Sequence, residues 1–215
     1  DIRHISGVHN SYFNNSYDES KEKRTIRVKI TPTTSDEYSL VIKQNGEEFK
    51  KFSNGGNEVA FGTIGDASTS EGPFWETINA AGVLQVPMVM SVWDDGYGIS
   101  VPREVQTTKG SISEALAGMH RGEDGNGYEI FVTKGWNYAH LCETYEKAVA
   151  IAREKHIPVL VHVKEVNQPQ GHSTSGSHER YKSKERLQWE TDFDCIAKLG
   201  EWMIDKKLAT QEELT

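Results

Sequence analysis

The chain has 215 residues, 36% hydrophobic and 26% charged, enough for one medium-sized core plus a short appendage. Its formal net charge of -8 argues against nucleic-acid binding, which needs a basic face, and no apolar run reaches the roughly 18 residues of a membrane span. Two cysteines, Cys142 and Cys195, stand in stretches that read as helix. They form neither a metal-ligand spacing nor a disulfide framework, so a reducing, cytoplasmic setting is expected. No secretory leader is visible, and a start at Asp1 reads as a processed product or an internal fragment.

Residues 1–57 carry nine Lys/Arg against eight Asp/Glu, whereas residues 58–215 carry fifteen against twenty-four. The two stretches also differ in pattern. In the first, residues 1–20 are rich in Asn, Ser, Tyr and His without a period and read as loop. Arg24–Ile30 alternates, with Ile26, Val28 and Ile30 on one face, which predicts a strand. Asn45-Gly46 between two extended runs predicts a hairpin. A small β appendage follows, and His4, His9 and Asn14-Asn15 read as solvated loop residues.

From residue 58 onward, strands and helices alternate. Glu58–Ile64 is a short apolar strand. Glu71–Leu84 places Phe74, Ile78, Ala81 and Leu84 on a helical period. Pro87–Trp93 is a second, nearly continuous apolar strand. The run from Ser111 is a short helix with Ser111 and Glu114 as a capping box. Tyr128–Thr133 is a strand. A long helix capped by Asn137 runs to His156, ahead of Pro158, and Ile157–Lys164 is a further strand. Continuous apolar strands alternating with helices predict a doubly wound, mostly parallel α/β domain covered on both faces, with ligands beyond the carboxyl ends of the strands.

Three segments fall at those ends. Gly65–Gly72 is a strand, Gly-Asp, then small polar residues before a helix, an anion seat with Asp66 placed to hold a hard cation. Asp94–Ser100 brings two carboxylates and a permissive Gly96 to the next strand end, 29 residues from Asp66 to Asp95. Asp66, Asp95 and a main-chain carbonyl near Tyr97 would suit Mg²⁺, which takes oxygen ligands and shares phosphate oxygens with its substrate. The stretch from Asn167 to Ser183 offers His172, Ser173, His178, Arg180 and Lys182 for phosphate contact and proton transfer. Each segment alone is equally an ordinary turn or surface loop; their shared rim favours a site.

Together, the stretch from Gly65 to Thr107 and the run Gly171–Ser175 resemble the thiamine diphosphate-dependent 2-oxo acid dehydrogenases, alpha-subunit type. The resemblance covers about residues 56–215. It implies a thiamine diphosphate and Mg²⁺ site with Asp66, Asp95 and Tyr97 as metal ligands. Ala67, Ser68, Ile99 and His172 would contact the cofactor. His172 would act in acyl transfer, and Ser173 matches a serine that some relatives phosphorylate. It also implies a 2-oxo acid substrate, a beta-type pyrimidine-binding subunit or domain, and a lipoyl-bearing acyltransferase core. The catalytic glutamate would then lie on the beta-type part, so the isolated chain is expected to be inactive and its rim to be an interface.

The chain departs from the family pattern in places. Ala67 replaces a Gly, Asp94-Asp95 replaces Asn-Asn, and Trp93 stands where some branched-chain relatives carry a phosphate-binding Arg. The extra carboxylate calls for compensation from Lys164, Arg180 or Lys182. A transketolase-type enzyme and a non-catalytic domain that has lost the cofactor are the alternatives. At the end of the chain, Thr210 and Glu213 read as the capping box of a further helix, which suggests truncation of the 58–215 domain.

Overall fold

The computed structural model describes residues 57–122, 125–168, 171–172 and 177–214, and the backbone of five short strands within residues 18–48. The chain divides into two compact units, 1–56 and 57–215. In the first unit, Ile26–Pro32 pairs antiparallel with Tyr38–Gln44, which pairs antiparallel with Glu47–Glu48. Asn45 and Gly46 between the latter two strands lie outside the described residues, as do His4, His9, Asn14 and Asn15.

The second unit is built on four strands: β1 (Ala60–Gly65), β2 (Met88–Trp93), β3 (Glu129–Lys134) and β4 (Val159–Lys164). Their order across the sheet is β3-β4-β2-β1, and every neighbouring pair is parallel. Helix α1 (Gly72–Leu84) joins β1 to β2. A single helical turn, α2 (Ile112–Ala115), lies between β2 and β3, and α3 (Tyr138–Lys155) joins β3 to β4. Helices α4 (Lys184–Asp192) and α5 (Cys195–Asp205) follow. No described helix is long and apolar enough to cross a membrane.

The continuous apolar strands are explained by cover on both faces. On one face, Phe74, Ile78 and Ala81 of α1, with Ile112 and Leu116, pack against Met88, Val92 and Leu160. On the other, Ala148 and Ala152 of α3 pack against Val89, Val159, Val161 and Val163. Burying each such valine or leucine side chain contributes roughly 1.5–3 kcal/mol. The two alanines matter for their size, since they let α3 approach the valine-rich face closely. Tyr128 closes the α1 side, its hydroxyl donating to the Ile78 carbonyl at 2.7 Å.

Local signals held where the side chain had nothing better to bind. Asn137 Oδ1 accepts from the His140 amide at 3.2 Å, and α3 ends at His156 in the left-handed region, φ 52°, ahead of Pro158. Thr210 and Glu213 form their box in both directions, Thr210 N to Glu213 Oε2 at 2.8 Å and Glu213 N to Thr210 Oγ1 at 3.4 Å. Ser111 does precede α2, but it makes no side-chain cap. Its Oγ lies 3.2 Å from Ser113 Oγ instead, because Ser113 belongs to a buried polar chain described below. Leu84 falls in the last turn of α1 and is exposed, so the core contribution of the helix is Phe74, Ile78 and Ala81 and ends there.

Parallel pairing places all four carboxyl ends on one edge. Gly65 sits opposite Trp93, and Trp93 opposite Val163, so the residues that follow are side by side. The backbone continues this alignment one step further. Asp66 N donates to Trp93 O at 3.0 Å, Asp94 N to Val163 O at 2.8 Å, and Val166 N to Asp94 O at 3.0 Å.

Candidate functional site

Asp66 opens the rim above β1. It is followed by a turn of 3-10 helix, Ala67–Ser70, in which Ala67 is half-buried and Ser68 exposed. Thr69 is buried, and its hydroxyl donates back to the Asp66 carbonyl, tying the turn to the strand end. Asp66 itself is buried, and its Oδ2 accepts no hydrogen bond. Burial, then the charges of Asp94 and Asp95, push its carboxyl up to about 7.

Above β2 the two adjacent carboxylates have different fates. Asp94 is 1% exposed and fully used. Its Oδ2 accepts from Arg103 Nη1 at 2.8 Å and lies 2.9 Å from His162 Nε2, while Oδ1 accepts from the Gly96 amide at 2.9 Å. Burial works to raise its pKa, but the His162 hydrogen bond and the Arg103 charge outweigh it and hold the carboxyl below the usual range. The chain continues from His162 Nδ1 to Ser113 Oγ at 2.8 Å. This corrects the expected source of compensation. Asp94 is matched by Arg103 and His162, neither of them among the expected partners, while Lys182 acts on Asp95 from nearby.

Asp95 is buried too, but only one of its oxygens is engaged: Oδ1 accepts from the Tyr97 amide at 3.1 Å. Oδ2 accepts no hydrogen bond and faces His172 Nε2 at 3.9 Å. Burial raises its pKa, opposed by the Tyr97 amide and by nearby His172, Lys182 and Arg186. Two buried carboxylate oxygens without hydrogen bonds, on adjacent strand ends and within each other's field, are costly as a bare protein surface. They fit a hard cation. Among the described residues no three His, Cys, Asp or Glu side chains converge on one point, so these two carboxylates would need oxygens from the main chain, water or a ligand to complete a shell.

The rest of the turn shapes the approach. Tyr97–Gly98 pairs with Val101–Pro102, and Ile99 at the tip takes a left-handed conformation, φ 60°, with its side chain 67% exposed. A β-branched residue held there is strained by about 1–3 kcal/mol. Gln106 Nε2 donates to the Ala67 carbonyl at 2.7 Å, joining the turn to the Asp66 segment. Gly98 is needed for that junction, since a Cβ there would lie 2.6 Å from Gln106 Oε1 and 2.9 Å from Ala67 Cβ. Gly98→Ala is therefore expected to cost about 1–3 kcal/mol and to displace Gln106. A denaturant midpoint unchanged from the wild type would contradict that packing.

The third segment brings His172 to the rim, and Ser173 lies outside the described residues. His178 is buried and its Nδ1 has no hydrogen-bond partner. Lys182 is not free to meet a phosphate, because it donates to Glu190 Oε1 at 2.7 Å and Oε2 at 2.9 Å. Trp93 turns to the α3 face, where its Nε1 donates to Ser91 Oγ at 2.9 Å.

Sequence reading missed Arg103, His162, Arg186 and Glu190. His162 carried a signal, being the one ring-nitrogen residue inside the apolar run of β4. Arg186 and Glu190 carried only the i,i+4 spacing of an ordinary helix ion pair, and Arg103 gave no signal that it would return to Asp94.

In parallel α/β domains ligands bind beyond the carboxyl ends of the strands, the edge on which Asp66 and Asp95 stand here. The chain belongs to the family described as Dehydrogenase E1 component, which matches residues 15–215. It is 25% identical over 169 residues to the pyruvate dehydrogenase E1 component subunit alpha of Rickettsia typhi, covering 79% of this chain and 49% of that protein. It is 31% identical over 155 residues to the 3-methyl-2-oxobutanoate dehydrogenase subunit alpha of Mycobacterium tuberculosis, covering 71% and 39%. A red-algal relative, the pyruvate dehydrogenase E1 component subunit alpha of Porphyra purpurea, is 25% identical over 151 residues, covering 70% and 41%. The chain thus spans about half the length of the curated relatives it matches.

Proposed function

We propose that this chain is the alpha-type part of a 2-oxo acid dehydrogenase that holds the Mg²⁺–diphosphate end of thiamine diphosphate. The observation that carries this reading is the pair of buried oxygens, Asp66 Oδ2 and Asp95 Oδ2, left without hydrogen bonds on adjacent strand ends. When bound, the cofactor would supply the nucleophilic and electron-accepting chemistry for decarboxylating a 2-oxo acid. The chain's own residues bind and orient. Asp66 and Asp95 take the metal, with the Tyr97 main chain as a third oxygen. Ala67 and Ser68 present small side chains and backbone to the diphosphate, and Ile99 lines the approach.

His172 stands at the open side of the rim, its Nε2 3.9 Å from Asp95 Oδ2. There it serves the transfer of the acyl group to a lipoyl arm. A beta-type pyrimidine-binding part and a lipoyl-bearing core are the partners this reading requires. The rival reading of a domain that has lost its cofactor loses its motive, since the Asp94 charge is matched in place by Arg103 and His162.

Calorimetric titration of the chain, assembled with a beta-type part, with thiamine diphosphate and Mg²⁺ tests the assignment. Saturable binding that disappears with excess chelator is expected; no binding to the assembly would overturn it. His172→Ala separates the second half of the reaction from the first. The variant should keep cofactor affinity and most decarboxylation with an artificial electron acceptor, and lose about 10²–10⁴-fold in acyl transfer to the lipoyl partner. Equal losses in both assays would assign His172 to cofactor placement instead.

A further inference from the structure

Helix α4 reaches the acidic turn through a single side chain. Arg186 Nη2 donates to the main-chain carbonyl of Asp95 at 2.7 Å, across 91 positions of sequence. Its Nε donates to Glu190 Oε1 at 2.9 Å, one helical turn further on. The guanidinium lies 5.5 Å from the ring centre of Tyr97 and 4.8 Å from that of Trp189, so both of its neighbours along the turn and the helix are aromatic. Gly96, at φ +83°, is fixed by its backbone conformation, and a Cβ there would make only ordinary contact with Arg186 Nη1, at 3.6 Å.

We propose that Arg186 is a positioning residue that clamps the Asp95–Tyr97 turn, with Glu190 holding the clamp in line. The clamp grips the backbone of the residue whose carboxylate has an oxygen to spare. It therefore fixes where that oxygen points without consuming it. Arginine suits the task, because two separate donors of one planar group, Nε and Nη2, meet Glu190 and the Asp95 carbonyl while the guanidinium lies over two rings. Glu190 is 1% exposed and has a second cation, Lys182, on the same carboxylate. Lys182 ends the segment that carries His172. One buried carboxylate thus ties that segment and α4 to the acidic turn.

The clamp itself is a statement about this chain alone. Its consequence for cofactor binding rests on the function proposed above, and the test keeps the two apart. Arg186→Gln and Arg186→Lys are made in the full chain. Hydrogen exchange of the 94–103 peptide is followed by mass spectrometry without any ligand, and Mn²⁺ uptake in the presence of thiamine diphosphate is followed by electron paramagnetic resonance. Loss of one charge-assisted hydrogen bond should speed exchange of the turn about tenfold or more, with β4 unchanged. Mn²⁺ should bind about tenfold more weakly to both variants, because the lysine keeps the charge but not the fork.

Unchanged exchange of the turn in Arg186→Gln, or in Arg186→Lys if the glutamine variant does not fold, overturns the clamp. Faster exchange with unchanged Mn²⁺ affinity overturns the positioning role. Full recovery of affinity in Arg186→Lys overturns it as well, by reducing Arg186 to a charge. A wild-type chain that takes up no Mn²⁺ with thiamine diphosphate, even with a beta-type part, overturns the proposed function, and the exchange measurement still decides the clamp.

Discussion

Asp66→Ala is expected to abolish Mg²⁺-dependent binding of thiamine diphosphate, with a loss beyond the roughly 10–100-fold that removal of a mere supporting group costs a metal site. The reason is electrostatic. Asp66 is buried, its Oδ2 has no hydrogen bond, and burial with the fields of Asp94 and Asp95 raises its pKa to about 7. A cation beside that oxygen would relieve all of these costs at once. Protons compete for the same oxygen, so the apparent Mg²⁺ affinity of the wild type should fall as pH drops below about 7 and level off above it.

The metal-free fold should show the opposite trend. A carboxyl whose folded pKa of about 7 exceeds its ordinary 3.8 favours folding below 3.8, and that contribution is lost as pH rises through 7. Melting temperature against pH, compared with Asp66→Asn, reads this directly. Binding that survives in Asp66→Ala, or a wild-type Mg²⁺ affinity that does not change between about pH 6 and 8, would remove Asp66 from the site.

The second large effect is on stability. Lys182 and Glu190 face each other with both side chains 2% exposed. Lys182→Met leaves a buried carboxylate with Arg186 as its only remaining cation, and breaking such a pair costs about 3–5 kcal/mol. Because Arg186 still donates to Glu190, the lower end, about 3 kcal/mol, is expected. The denaturant midpoint reports it. A loss under about 1 kcal/mol would mean that the pair is hydrated in solution and that the surface-bridge range applies. This variant should also weaken cofactor binding, but through the fold of the 165–190 region and not through a lost phosphate contact.

The architecture was legible because it rests on periodicity. Both faces of the sheet are covered, so β2 and β4 had to be continuous apolar runs, and Phe74, Ile78 and Ala81 had to recur at helical spacing. Parallel strands then bring Asp66 and Asp95 to one edge by topology alone. What stayed hidden depends on pairing between side chains far apart in the chain. Asp94 and Asp95 are neighbours with the same chemistry, yet one is saturated by Arg103 and His162 and the other is not. Nothing in a run of two aspartates says which. Ser111 illustrates the same limit on a smaller scale. Its position before α2 was readable, but its hydroxyl joins Ser113 in the line that leads to His162 and Asp94, which no local rule for helix starts foresees.

The order of the strands has a bearing on how the molecule is made. Among the four described strands of this sheet β4 comes last in sequence, and it lies between β3 and β2. A nascent chain that ends before Val159 can pair β1 with β2, but among the described strands β3 has no hydrogen-bonding neighbour until β4 exists. The Asp94 amide and the Asp94 carboxylate wait for the same event, since both take a partner from β4. The contacts of Asp94 are thus completed in one strand-insertion step, and until then the nascent chain carries β3 with unpaired edges of the kind that recruit chaperones or aggregate.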